Sequence, residues 1–315
     1  MPARIMAAKA MLHYGEEPCL IGPPFGRSVP PARDSGASKN QSEDCRTARV
    51  GVRRGAGAIF FSGCNLKCVF CQNEEISHGG FGQEISVQRL ADIMVELAVE
   101  GAATIDLVTP TPYTTEVRRA LEIAKPHLNG VPVVYNCGGY ESVEALQSLE
   151  GLVEIYLPDL KYYDSNLSLK YSGAVDYYVI AMAAIEEMVR QVGEPVFEPV
   201  SLAAGAKDAS ATVSPQMKRG VLIRHMVLPG CVKDSERLLE ETAKRISPEK
   251  VRISLLRQYT PWGDLSRFPE INRRLTTYEY ERVVDKALAL GFDGYRQAGG
   301  AATMQLRPEF NLEGL

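Results

Sequence analysis

The sequence predicts an α/β fold in which six parallel strands form a partial, open barrel of the (β/α)6 type. Short apolar runs alternate strictly with amphipathic helical patterns, and this alternation favours a parallel sheet with helical crossovers. Each apolar run also ends in a polar or glycine-containing loop, as expected at the carboxyl ends of barrel strands, where active-site residues lie. Six units rather than eight indicate an open barrel, and a flat doubly wound sheet is the structural alternative.

The elements follow one another in a regular order. The helix after the first strand can begin at the capping residue Ser86 and end at Gly101, with apolar residues at i, i+3, i+4 and i+7. The six candidate strands lie at residues 58–62, 103–108, 131–135, 153–157, 221–227 and 251–255. The further helical patterns cover residues 115–125, a stretch from about 142, stretches through 191, and residues 234–246 and 276–290.

Composition limits the function classes. The chain has 315 residues, a net charge of −4 and a pI near 5.7, so a nucleic-acid partner is not expected. No apolar run is long enough for a signal-peptide core or a membrane span. Three of the seven cysteines lie within eight residues, which is typical of thiolate ligands rather than of a disulfide framework. We therefore expect a cytoplasmic protein with no membrane partner.

The chain divides into three parts. Residues 1–50 are predicted to be an N-terminal extension with a flexible insertion at 23–49, which is rich in Pro, Gly, Ser and charge. Residues 51–292 form the core domain, interrupted by a long surface loop at 193–218. Residues 293–315 are a weakly patterned C-terminal tail.

The loop after the first strand carries the most specific pattern. Cys64, Cys68 and Cys71 provide three thiolates in a C-x3-C-x2-C spacing, whereas an iron–sulfur cubane has four irons to ligate. Three cysteines would leave one iron open to a small molecule. The spacing alone also allows a structural zinc site, with His78 or a distant cysteine as fourth ligand, or an electron-transfer cluster.

The stretch FFSGCNLKCVFCQN at residues 60–73 resembles the radical S-adenosylmethionine (radical SAM) signature, with the aromatic Phe70 before the last cysteine. Together with Gly55 and Gly57 it is similar to the glycyl radical enzyme activases, the homologues of pyruvate formate-lyase activating enzyme. The resemblance covers residues 50–292 apart from the 193–218 loop. Longer stretches that carry it are HYGEEP, DLVTPTPY, IYLPDLKYYD, EMVRQVG, RHMVLPG and QYTP.

The resemblance implies a radical SAM barrel, a [4Fe-4S] cluster on the three cysteines, and S-adenosylmethionine on the open iron. It implies an oxidoreductase that reductively cleaves S-adenosylmethionine to a 5′-deoxyadenosyl radical for hydrogen abstraction. A protein or peptide would be the hydrogen donor, and flavodoxin or ferredoxin the electron donor. The alternatives are a radical SAM enzyme acting on a small metabolite and a non-catalytic iron–sulfur or zinc protein.

The resemblance also implies cofactor-binding positions at the strand ends. Thr109 and Thr111 stand where the family has its GGE motif, although this sequence lacks its two glycines and its acid, and a plain turn is the alternative. Asn136 begins a glycine-containing turn that would lie near the ribose or carboxylate of the cofactor, or would be a bare turn. The full set of predicted cofactor-binding residues is Phe70, Thr109, Thr111, Asn136, Asp159, Lys161 and Arg224.

Charged residues carry the last part of this prediction. Asp159 and Lys161 match a DxK motif whose two side chains would point to one face of an extended segment, although a surface ion pair would look the same. Arg224 could bind a carboxylate with both of its terminal nitrogens. Cys137 and Cys231 lie at strand ends, as buried small residues or as functional thiols.

Overall fold

The computed structural model describes residues 4–21, 55–199, 215–297 and 308–315. The predicted insertion at 23–49 and Cys45 lie outside the described residues. Strands in the described part of the chain are β1 (Ile5–His13), β2 (Ala56–Phe61), β3 (Gln83–Ile85), β4 (Thr104–Val108), β5 (Val133–Cys137), β6 (Ile155–Pro158), β7 (Val196–Glu198), β8 (Gln216–Met226), β9 (Arg252–Leu256) and β10 (Gly294–Arg296). The α-helices there are α1 (Pro18–Ile21), α2 (Glu74–Ser77), α3 (Val87–Val99), α4 (Thr114–Ala124), α5 (Val143–Gln147), α6 (Ser165–Ser172), α7 (Tyr177–Val192), α8 (Val232–Arg245) and α9 (Thr277–Ala289).

The strands form one sheet in the order β10-β9-β8-β6-β5-β4-β2-β1-β3, with β7 paired to β8. Strands β2, β4, β5, β6, β8, β9 and β10 pair in parallel, each with the next in this order. Strand β1 pairs antiparallel with both β2 and β3. The two ends of this order are not paired with each other, so the sheet is open. The predicted α/β fold with an open, mostly parallel sheet is confirmed, and strands are present at all six predicted positions.

The helices form where the sequence supplies both a cap and an apolar face. Ser86 accepts a hydrogen bond from the Arg89 amide and so begins α3, which buries Leu90, Ala91, Ile93, Met94 and Leu97. At the start of α9, Thr276 and Glu279 form a reciprocal capping box. These buried helix faces join the outer faces of the strands in the main hydrophobic core.

The first strand of the sheet, β1, was not predicted. Its sequence IMAAKAMLH is rich in residues with good helix propensity, but it hydrogen-bonds to β2 on one side and to β3 on the other. Two-sided pairing with strands far apart in sequence therefore overrides the local preference. Part of the predicted N-terminal extension belongs to the sheet.

Helix α1 closes the amino end of the strands. Its buried Cys19 and Leu20 pack with inward-facing residues of the sheet in a second apolar cluster, which contains Val134, Ile155, Leu157, Met217 and Leu222. The Thr104 hydroxyl, at the start of β4, donates a hydrogen bond of 3.1 Å to the Leu20 carbonyl. The sheet thus has an apolar base, and polar residues face inward above it.

The two regions expected to be irregular contain ordered elements. Within the described ends of the predicted 193–218 loop, β7 pairs antiparallel with the first residues of β8. In the predicted tail, residues 294–296 form β10, and residues 308–315 return to β1. There the Leu312 amide donates to the Ala8 carbonyl, and Phe310 packs edge-on against Phe60.

In the described part of the chain, every helix is too short or too polar to cross a membrane.

Candidate active site at the carboxyl ends of the strands

The cysteine loop leaves the carboxyl end of β2 and is held by a neighbouring helix. The amides of Lys67 and Val69 donate to the carbonyls of Ser172 and Tyr171 at the end of α6, at 2.9 and 2.8 Å. The Ser172 hydroxyl lies 3.0 Å from the Cys68 sulfur. These contacts fix the loop so that all three cysteines face the same cavity.

This cavity has a volume of about 380 Å³ and is lined by Cys64, Cys68 and Cys71 together with inward-facing residues of the sheet. Its walls include Thr109 after β4 and Asn136 on β5. Parallel strands end at the same edge of a sheet, so the loops that follow them converge on one space. The sequence-predicted cysteines and strand ends are brought together there.

Three charged side chains and one amide form a network on the cavity wall, which we call the rim network: Asn136, Asp159, Lys161 and Arg224. Arg224 Nε donates to Asp159 Oδ1 at 2.9 Å, and its Nη2 donates to Asn136 Oδ1 at 2.6 Å. Lys161 Nζ donates to the other Asp159 oxygen, Oδ2, at 2.5 Å. Asp159 and Lys161 are only 22% and 18% exposed, so the pair is not a surface ion pair.

The protonation states of the rim network follow from this pairing. Burial alone would raise the pKa of Asp159, but Arg224 and Lys161 outweigh it and leave that pKa below its ordinary value. Burial acts to lower the pKa of Lys161, yet Asp159 keeps it above the usual range. The rim network is therefore ionised at neutral pH, with polar groups that face the cavity.

The turns beside the network are shaped by close packing. Gly139 has φ +79°, and a Cβ there would lie 2.1 Å from the Asp159 carbonyl oxygen. The Tyr177 hydroxyl lies 2.8 Å from the carbonyl oxygens of both Gly138 and Asp159. The glycine turn after β5 is therefore required for chain packing, and it places Asn136 beside Arg224.

The other predicted cofactor-binding residues are placed differently from one another. Thr109 lines the cavity and has a left-handed backbone, with φ 60°. Thr111 is outside the cavity lining, and its hydroxyl donates to Glu141 Oε1 at 2.7 Å. Phe70, within the cysteine loop, is buried and packs edge-on against Tyr259, with 5.9 Å between the ring centres. For these residues cofactor contact stays a prediction.

Three carboxylic acids of this site were missed by the sequence reasoning: Glu16, Glu17 and Asp106. Glu16 and Glu17 lie between β1 and α1 and line the cavity from the amino side of the strands. Asp106 is a fully buried residue in the middle of β4, where its Oδ2 accepts from Asn136 at 3.2 Å. An acid in an otherwise apolar strand was the one available signal for this group.

Two other polar residues have structural partners. His225 is buried on the opposite face of β8 from Arg224, with Nδ1 2.7 Å from the Leu160 carbonyl and Nε2 2.9 Å from the Ser235 hydroxyl. His78, considered above as a fourth zinc ligand, has Nε2 3.3 Å from the Leu66 carbonyl. Across the described residues, no three His, Cys, Asp or Glu side chains are grouped as ligands of a single metal ion.

The arrangement fits a cubane cluster better than a single ion. Thiolates are the ligands that iron–sulfur clusters take, and in a cubane each cysteine binds a different iron, so the sulfurs need not meet at one point. The three cysteines share one cavity wall, and their loop is fixed by backbone hydrogen bonds. Polar side chains of the rim network face the same space and can hold a polar ligand beside the cluster.

Comparison with known proteins decides the family of this arrangement. Residues 58–193 match the family model of the radical SAM superfamily. The matched residues include the cysteine loop and, from the rim network, Asn136, Asp159 and Lys161. Residues 58–193 form a radical SAM domain. The superfamily uses a [4Fe-4S] cluster and S-adenosylmethionine, so the cofactors expected from the sequence are confirmed.

Solved structures agree with the fold of the radical SAM domain. A radical SAM methyltransferase from Sphaerobacter thermophilus superposes with a TM-score of 0.50 at 13% identity, over 78% of this chain and 67% of that one. SuiB of Streptococcus suis bound to S-adenosylmethionine gives a TM-score of 0.49 at 13% identity, over 76% of this chain and 49% of that one. The match to the methyltransferase and the open, mostly parallel sheet confirm the predicted partial barrel.

A curated relative extends the similarity beyond the family model. An uncharacterised protein of Methanocaldococcus jannaschii is 26% identical over 244 residues. The alignment covers 75% of this chain and 62% of the relative, so the chain spans less than two thirds of that protein.

Proposed function

We propose that this chain reductively cleaves S-adenosylmethionine and directs the resulting hydrogen abstraction at a protein or peptide, in the manner of the glycyl radical enzyme activases. One observation carries the proposal. Three cysteine thiols and an ionised network of Asp159, Lys161 and Arg224 line the same cavity at the carboxyl ends of the strands. A cluster ligand set and a binding site for a charged small molecule therefore adjoin each other.

Each group has a definite task in this function. Cys64, Cys68 and Cys71 would hold three irons of the cluster, and the fourth iron would bind S-adenosylmethionine. When bound, the reduced cluster and S-adenosylmethionine supply the 5′-deoxyadenosyl radical that abstracts the hydrogen atom. Asn136, Asp159, Lys161 and Arg224 provide fixed donors and acceptors for the polar groups of the cofactor.

The rim network suits this task because its geometry is set before the cofactor binds. Arg224 is held by both Asp159 and Asn136, and Lys161 is held by Asp159, so these side chains need little reorganisation. The Thr109 backbone, strained at φ 60°, is the turn that stands where the family has its GGE motif. Flavodoxin or ferredoxin as electron donor and a cytoplasmic location belong to the same proposal.

A second candidate function is supported by the size of the cavity. About 380 Å³ lies near the lower end of the range for small-ligand sites, so a small metabolite could bind there beside the cofactor. The protein or peptide substrate is the one that the resemblance to the activases implies, and the sequence itself does not separate the two.

The test is cofactor cleavage by the oxygen-free, reconstituted protein. With dithionite and S-adenosylmethionine, 5′-deoxyadenosine and methionine should appear in equal amounts by chromatography. Changing Cys64, Cys68 or Cys71 to Ala should abolish both products, because each change removes one cluster ligand. Cys231→Ala is the matched control: Cys231 is 9% exposed, lies outside the site cavity and should leave cleavage intact. A fully loaded, reduced wild-type protein that forms no 5′-deoxyadenosine would overturn the proposal.

A further inference from the structure

Three acids, which we call the floor, lie on the amino side of the cavity. Glu16 and Glu17 line it, and the fully buried Asp106 bonds to Asn136 of its wall. Positions along β4 show how deep each residue lies in the barrel. Thr104 contacts the Leu20 carbonyl at the apolar base, and Asp106 follows two residues later. Thr109 lies three residues beyond Asp106, about 10 Å nearer the carboxyl edge at the usual rise of a strand. The floor therefore lies deeper in the barrel than the cysteine loop and the turn after β4.

Two floor oxygens have no hydrogen-bond partner within the described residues: Glu17 Oε2 and Asp106 Oδ1. Glu17 is 8% exposed and Asp106 is not exposed at all. Buried carboxyl oxygens are normally paired, since leaving one unpaired costs free energy. Glu17 lines the cavity, so a donor that enters the cavity can reach this group.

Among the described residues, little positive charge lies against this acid group. Arg224 is the one cation that the described structure places against it, with Nη1 4.0 Å from Glu16 Oε2, and Arg224 is already bonded to Asp159 and Asn136. His13 Nε2 is 3.9 Å from Glu16 Oε1, but burial lowers the pKa of that imidazole and favours its neutral form. The floor is thus complementary to a positively charged hydrogen-bond donor.

We propose that the floor binds a cationic nitrogen group, an ammonium or guanidinium, of the enzyme's substrate. This inference rests on the proposed function, because it takes the rim beside the cysteine loop as the place of the cofactor. A molecule that reaches the floor must extend past that rim into the barrel. The substrate class is accordingly an amine or guanidine, either as a lysine or arginine side chain of a peptide or as a small metabolite.

The probe is n-butylammonium, with n-butanol as its neutral counterpart. Isothermal titration into the reconstituted, unreduced protein saturated with S-adenosylmethionine should show saturable binding of the cation and none of the alcohol. Glu17→Gln keeps the shape of the side chain and removes its charge, and it should weaken butylammonium binding about tenfold or more. Glu309→Gln, which removes an exposed acid from the neighbouring surface, should leave the affinity unchanged.

The measurements separate the two sources of a cationic nitrogen. S-adenosylmethionine also carries an ammonium, so its own dissociation constant is measured for wild type and Glu17→Gln. An unchanged value with weakened butylammonium binding supports a substrate site, whereas weakened cofactor binding with no butylammonium binding overturns it. If Glu17→Gln lowers the melting temperature, the butylammonium affinity of Glu16→Gln tests the proposal in its place. The wild-type preference for butylammonium over butanol tests it without any substitution. Equal binding of both probes overturns the proposal. Binding is measured without reduction, so failure of cofactor cleavage with intact butylammonium binding would count against the proposed function alone.

Discussion

The rim network and the floor both contain carboxyl groups, but their pKa values are shifted in opposite directions. At the rim, both oxygens of Asp159 are bonded to cations of the chain, and the pKa of Asp159 lies below its ordinary value. At the floor, burial raises the pKa of Glu17 to about 7, with Arg224 acting to lower it and Glu16 to raise it. Asp159 at the rim is thus paired with two cations, whereas Arg224 is the one cation that the described residues place against the floor.

The largest expected effect comes from removing the one cation that both regions share. Arg224→Ala leaves Asp159 with Lys161 as its charged partner and removes the guanidinium beside Glu16, so the cluster-free protein should lose about 4 kcal/mol of unfolding free energy. Urea unfolding measures this loss.

Arg190 provides the matched control for Arg224. It also bonds two carboxylates, Glu150 and Glu187, but its side chain is 52% exposed. Arg190→Ala should therefore cost much less unfolding free energy than Arg224→Ala, because exposed ion pairs contribute little. Equal costs for the two substitutions would show that burial does not distinguish the site from the surface.

A pH series sharpens the comparison at the floor. The pKa of Glu17 is 4.5 when unperturbed and about 7 in the folded protein, so between these values the unfolded chain releases a proton that the folded protein keeps. Stability should therefore fall as the pH rises through this window. Glu17→Gln should remove that part of the decline, as followed by urea unfolding between pH 4.5 and 7.5.

The rim should respond with the opposite sign. Asp159 has a lowered pKa, so its contribution is present at neutral pH and is lost as the pH falls through its folded value. Asp159→Asn should accordingly lower stability most at neutral pH and least in acid. Parallel curves for Glu17→Gln and Asp159→Asn would contradict the contrast between floor and rim.

The smallest expected effect concerns the contact between β4 and α1 at the amino end of the strands. Thr104→Val removes the hydrogen bond from the Thr104 hydroxyl to the Leu20 carbonyl while keeping the shape of the side chain, and it should cost about 1 kcal/mol. Thr104→Ser, which keeps the hydroxyl, is the matched control, and denaturant unfolding measures both. A larger loss for Ser than for Val would mean that packing of the methyl group, and not the hydrogen bond, holds α1.

The sequence was sufficient for the parts of the fold and site that depend on local pattern. The six alternating strand–helix units, the cysteine spacing and the Asp159–Lys161 pair are all short-range features, and the structure places them as expected. Arg224 was predicted because it matches an arginine of the family on the fifth strand. Its bonds to Asp159 and Asn136 follow from parallel pairing of neighbouring strands.

The parts that were missed depend on contacts between distant segments. β1 has a helix-favouring composition, and only its pairing with β2 and β3 makes it a strand. Glu16 and Glu17 are adjacent acids in a short loop, a pattern that is usually a solvated surface. Their burial results from α1 packing inside the sheet, and no local signal announces that packing.

Residues 4–21 have a practical consequence for any shortened version of this protein. A chain begun at residue 51, the boundary that the sequence pattern suggests, would contain every cysteine of the cluster loop and all of the rim network. It would also expose the apolar lining of β5, β6 and β8 to water. It would remove β1, which pairs with β2, and leave the amino end of the barrel open. Such a fragment could still be tested for iron binding, but a substrate inside it would meet solvent where the intact protein presents two glutamates.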